Sequence, residues 1–160
     1  MKNKNEYPVR NKFSLLSELG FKLDLSFSSQ MSVGNKVIAL DGIKKKLLVL
    51  DTSDETKQHF IIHLDRVKSI AVKKNYCSIK AGDLKRKEFE EFLETIFLHF
   101  EYREGSKTVD LHFYERGKNR FSDVVMLERN ARNWQLILSK MIVPTTGKQA
   151  TEKNKVLSTA

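Results

Sequence analysis

Apolar and polar positions change rhythm several times along this chain, and the last rhythm is the clearest. Ala131, Trp134, Ile137, Leu138 and Met141 recur at spacings of three and four, which places them on one helical face that needs a surface to bury against. Asn130 can cap that helix, so the pattern predicts it over 130–143. What precedes it reads mostly as strand. Residues 14–19 suit a short helix stopped by Gly20, after which Phe21, Leu23, Leu25 and Phe27 alternate with polar residues as a half-buried strand does. Residues 28–34 read as a loop. Leucine and β-branched residues between turn signals then predict strands at 36–41, 46–51, 59–65 and 67–73, in antiparallel succession. Asp83 can cap a further helix over 84–93, with Leu84, Phe89, Phe92 and Leu93 as its apolar positions.

The stretch 96–114 predicts a hairpin. With Gly105-Ser106 as a two-residue turn, Tyr102 faces Val109, Phe100 faces Leu111 and Leu98 faces Phe113, all apolar. The other side then pairs Arg103 with Thr108, Glu101 with Asp110 and His99 with His112, so core and solvent faces separate. A last strand at 120–127 follows the turn at Gly117. The same residues also fit the beginning of the final helix, because Val124, Leu127, Ala131 and Trp134 share a helical face.

The fold class expected from this order is mainly β, of the α+β kind, with seven antiparallel strands counted from Lys36 and one closing helix. At 160 residues with 40% apolar and 31% charged composition, the chain suits one soluble domain with a real core. No run of about 18 apolar residues is present, and the start lacks the apolar stretch of a signal peptide, so a cytoplasmic location is expected. The single cysteine, Cys77, excludes an internal disulfide or a thiolate zinc cluster.

The formal charge of +9 points towards a polyanion only until its distribution is read. Residues 1–12 contribute a net +3 and residues 144–160 a net +2, leaving +4 for everything between. Polar ends of that composition are expected to be disordered, with their charge serving solubility.

Four strands, three strands and a closing helix resemble the pleckstrin-homology superfold, and the resemblance spans 36–143. Phe60-Ile61-Ile62-His63-Leu64-Asp65-Arg66-Val67-Lys68-Ser69-Ile70 is similar to the segment of bacterial pleckstrin-homology-like domains in which an aspartate-led turn interrupts an apolar strand. Trp134 stands where that superfold commonly carries a structural tryptophan. The resemblance implies a partly open barrel closed by the C-terminal helix, with the 84–93 helix inserted between strands four and five. Residues 1–35 would be an N-terminal extension with a short helix and strand, and 144–160 a polar tail. Fold alone does not carry function.

Three places hold residues suited to binding. Lys44, Lys45 and Lys46 lie beside the Asp41-Gly42 turn, between the first two strands of the implied barrel. In phosphoinositide-binding relatives that loop holds phosphates with lysine and arginine; here the lysines are present without an arginine on the second strand. A solvated turn that protects a sheet edge is the plainer reading. On the late hairpin, facing His99 and His112 with Glu101 and Asp110 would offer two imidazoles and two carboxylates to zinc or nickel, against a reading as two exposed polar pairs. Tyr76 beside Lys73 and Lys74, and Phe97 with Tyr114 on the outer hairpin face, are the aromatics a single-stranded nucleic acid would stack on.

A glycine-rich phosphate loop, a G-x-S-x-G elbow and an H-E-x-x-H pair are all missing from the sequence, so an enzyme is not expected. The expectation is a non-catalytic binding or adaptor module without a cofactor. Its partner would be a protein, with an acidic lipid surface or nucleic acid reached through weak electrostatics. A nucleic-acid-binding module is the alternative.

Overall fold

A computed structural model describes residues 7–53 and 58–142, and two compact units divide the chain between Leu64 and Asp65. The predicted tail at 144–160 and the first residues of the predicted N-terminal extension lie outside the described residues.

The first unit begins with helix α1 (Tyr7–Leu23), which is much longer than expected and runs straight through Gly20. Gly20 is a point of close approach and does not end the helix: a Cβ there would come within 2.8 Å of the Phe27 ring. The helix stops three residues later. Asp24 takes the left-handed conformation (φ 58°), its N–H bonds the Phe21 carbonyl, and the Leu25 N–H bonds the Gly20 carbonyl at 2.8 Å. This is the Schellman closure of a helix. The alternation at 21–27 is therefore a helix end followed by a loop, and no strand forms there. Leu16 and Leu25 join Val37, Ala39 and Leu48 in a buried cluster, with Phe13, Leu19 and Leu23 at its margin. A helical spacing of Phe13, Leu16, Leu19 and Leu23 explains why the helix wins.

The helix packs on a four-stranded antiparallel sheet of sequential order, β1 (Ser29–Val33), β2 (Lys36–Asp41), β3 (Lys46–Asp51) and β4 (His59–His63). β1 lies where a loop was expected. Its signal was the Gly34-Asn35 pair: Gly34 has φ 61°, and Val33 pairs with Lys36 across a two-residue turn. β2 and β3 bury nearly every residue, which removes the alternation that usually announces a half-exposed strand.

The second unit holds the antiparallel sheet β5 (Val67–Tyr76), β6 (Leu93–Tyr102) and β7 (Thr108–Glu115), followed by helix α2 (Val124–Ser139). Between β4 and β5, a 3₁₀ turn at Leu64–Arg66 carries Asp65. The helix expected at 84–93 does not form. Only short 3₁₀ turns occur at Asp83–Lys85 and Phe89–Phe92, because Leu84 and Phe89 stay about half exposed and leave no continuous stripe to bury.

α2 starts earlier than 130 and takes up residues 124–127, so the last predicted strand is absent and the helical alternative holds. The count of seven strands stands with a different membership: Ser29–Val33 enters and 120–127 leaves. Val124, Leu127, Ala131, Trp134 and Leu138 are buried as α2 lies across all three strands. The Gln135 amide donates to the Ile70 carbonyl at 3.0 Å, and Lys74 on β5 meets Glu128 on α2 at 2.9 Å. The hydrogen bond with Glu128 raises the Lys74 pKa. Burial alone would push Glu128 up, but Lys74 and Arg132 hold it below the usual carboxylate range.

Candidate functional site

The lysine-rich turn is built around a buried carboxylate that the sequence did not single out. Asp41, 2% exposed at the end of β2, accepts backbone N–H bonds from Ser26 (2.9 Å), Ile43 (3.1 Å) and Lys44 (2.9 Å). Burial disfavours its charge, yet these three donors outweigh that cost and leave its pKa lowered. Asp41 thereby fastens the β2–β3 turn to the segment leaving α1. Lys44 adds a second fastening, its ammonium reaching the Asp24 carboxylate at 2.8 Å and the Asp24 carbonyl. That hydrogen bond, with the lysine's charge, lowers the pKa of Asp24.

The three lysines therefore differ in role. Lys44 is engaged by Asp24, Lys45 takes the left-handed turn position (φ 57°), and Lys46 opens β3 opposite Asp41 and His63. With β1 present, the turn joins the second and third strands; the expected place between the first and second is occupied by Gly34-Asn35.

Ile43 at the top of this turn is 91% exposed, and Phe21 in the last turn of α1 is 89% exposed. They are the two most exposed large apolar side chains among the described residues. Both belong to the segments that Asp41 and the Asp24–Lys44 pair tie together. Lys22, Lys45 and Lys46 accompany them, while the two acidic groups of those turns are already spent. The two tied segments thus carry one exposed apolar side chain each and an excess of lysine over acid. No exposed apolar alternation along the sequence marks these side chains, since each residue looks like an isolated exception.

The late hairpin has another register. Four residues, 103–106, form its turn, with Gly105 at φ 68° and the Tyr102 N–H bonded to the Lys107 carbonyl at 3.0 Å. His99 accordingly faces Asp110, Glu101 faces Thr108, and His112 faces Phe97. The expected His99–His112 pairing is wrong by two residues, a slip that keeps every side chain on its original face and so escapes a pattern argument. His99 Nδ1 lies 2.6 Å from Asp110 and Nε2 lies 3.9 Å from Glu101; Glu101 also accepts from Ser69 at 2.8 Å, which lowers its pKa. The His112 ring sits against Phe97, with centroids 5.2 Å apart. Among the described residues no group of three or more histidine, cysteine and acidic side chains could hold a metal ion. Zinc in modest excess is expected to leave the thermal midpoint of the wild type and of His99→Ala unchanged. A stabilisation lost in both His99→Ala and His112→Ala would contradict this geometry.

The aromatics proposed for nucleic-acid stacking are not displayed. Phe97 and Tyr114 are both buried: a bulge between Ile96 and Phe97 pairs Ile96 with Tyr114 and shifts the β7 alternation, while Phe97 keeps its face and lies against the His99 and His112 rings. Tyr76 stacks on Phe89 at 4.3 Å. Elsewhere in the second unit, a groove of about 480 Å³ is lined by Glu88, Glu90, Glu91, Tyr114, Arg116 and Phe121, among others. Its acidic wall is partly structural, since Glu91 accepts the Glu88 N–H at 3.0 Å. No helix among the described residues is long and apolar enough to cross a membrane. Compared with models of protein families, with curated proteins and with solved structures, the chain matches none.

Proposed function

We propose that the chain is a pleckstrin-homology-like, non-catalytic binding module that docks on an anionic lipid surface through the tip of its first unit. The order of four antiparallel strands, three antiparallel strands and a C-terminal helix supports the superfold, and the partly open barrel belongs to this proposal. The observation that carries the docking reading is the exposure of Phe21 and Ile43 beside Lys22, Lys45 and Lys46. Apolar side chains of this kind enter the headgroup boundary, and each lysine near an anionic surface adds about 1 kcal/mol, screened by salt. The charge balance supports it further: Asp24 and Asp41 stay ionised, but Asp24 is paired with Lys44 and Asp41 is buried under three backbone N–H donors, so Lys22, Lys45 and Lys46 leave the two turns net positive. A nucleic acid is the weaker reading, since the tip presents one aromatic ring and no arginine in its two turns.

Sedimentation of the full chain with phosphatidylserine-containing vesicles tests the reading. Binding is expected to fall with salt, to vanish on pure phosphatidylcholine, and to weaken by about tenfold or more in Phe21→Ser/Ile43→Ser, which removes most of about 3 kcal/mol of apolar burial. Equal binding by wild type and double variant would reject the tip. Tighter binding to single-stranded nucleic acid than to vesicles would favour the alternative.

A further inference from the structure

The outward face of α2 carries an arrangement that lipid docking at the first unit does not use. Val125 is 70% and Leu136 65% exposed, with Met126 and Ile137 also open to solvent. Because residues eleven apart return to nearly the same helical angle, Val125 aligns with Leu136 and Met126 with Ile137, giving two apolar pairs about 16 Å apart along the axis. Arg129 and Asn133 lie between these pairs, on the exposed side of the helix. The sole acid of α2, Glu128, is held by Lys74 at 2.9 Å and by Arg132 at 2.7 Å. The exposed face is thus apolar at both ends, cationic between them, and without an available carboxylate of its own.

We infer that this face is a docking surface for a helical segment of another protein that carries acidic residues between two apolar anchors. Charge complementarity selects this occupant. A bilayer is a poor fit, because an interfacial helix places its apolar centre in the lipid with its cations at the polar margin, whereas here Arg129 would lead into the boundary. A second copy is also a poor fit, since pairing two of these faces opposes Arg129 and Arg132 with the same cations and supplies no acid. A carboxylate meeting the guanidinium of Arg129 gains a bidentate hydrogen-bonded pair, and the apolar ends supply the burial. The inner face of α2 is fixed on β5, β6 and β7, so the platform is ordered before the partner arrives.

The test uses the full chain and an alanine-based helical peptide bearing leucines about three turns apart with two glutamates between them. Binding measured by fluorescence anisotropy is expected for the wild type. It should weaken by about tenfold or more for Arg129→Glu and for Leu136→Glu, both exposed and therefore expected to keep the wild-type thermal midpoint. A peptide with lysines replacing its glutamates should bind Arg129→Glu in preference to the wild type. Undiminished binding by Arg129→Glu, no binding of the glutamate peptide, or equal binding of the lysine peptide to the wild type would overturn the inference. So would self-association or vesicle binding that is lost in Leu136→Glu.

Discussion

Replacing Trp134 by alanine is expected to cost about 3–5 kcal/mol, a large part of the stability of an ordinary domain. Trp134 is 5% exposed and lies on the inner face of α2, in line with Leu127, Ala131 and Leu138. Alanine would forfeit the burial of the ring and leave a void that a helix pinned at Gln135 and Glu128 cannot collapse to fill. Equilibrium denaturation should show a lower midpoint, with Trp134→Phe falling between the two. An unchanged midpoint for Trp134→Ala would mean that α2 does not depend on this contact for its place on the sheet.

Asp41→Ala is expected to cost about 2–4 kcal/mol, since it orphans three backbone donors at a buried site and removes a charge-assisted acceptor. Asp41→Asn should cost less, because its one carbonyl oxygen can keep part of the set. The pH dependence separates charge from shape. The folded pKa of Asp41 lies below its unfolded value, so its contribution is fully present above the unfolded pKa of about 3.9 and is lost as pH falls through the folded one. Stability measured across that acid window should fall less steeply in Asp41→Asn than in the wild type. Equal acid slopes would show that the carboxylate is not selectively stabilised in the fold. The turn bearing Ile43 should also loosen, coupling this substitution to docking.

Several elements were legible because one local signal decided them. β2 and β3 are apolar runs between clear turns, and the stripe through Ala131, Trp134 and Leu138 admits only a helix. Other features depended on partners distant in sequence. The Phe21–Phe27 alternation satisfies a strand template, yet the cluster formed by Leu16, Leu25, Val37 and Ala39 favours a helix closed at Asp24. The segment around Leu84 has helical spacing but no surface to cover it. The His99 register could not be fixed by polarity, since pairing His99 with Asp110 or with His112 exposes the same residues. Lys44, Lys45 and Lys46 were visible as a run of charge. What makes the tip a candidate site is the company of Phe21 and Ile43, brought by Asp41 and by the Asp24–Lys44 pair across the loop from α1.

Docking as proposed requires the tip of the first unit to enter the boundary of an anionic membrane. Depth-dependent fluorescence quenching reads this on the full chain with Cys77, the only cysteine, changed to serine and an environment-sensitive label placed through Phe21→Cys or Ile43→Cys. The labelled position keeps an apolar group at the tip, so docking is preserved. Phosphatidylserine vesicles carrying a quencher near the headgroups should shift the emission to the blue and quench both labels, while a control label at Ser53, exposed beyond the far end of β3 from the 42–45 turn, stays at its aqueous wavelength. Vesicle-bound protein whose labels at 21 and 43 remain aqueous, or a Ser53 label quenched as strongly as they are, would contradict docking through the tip.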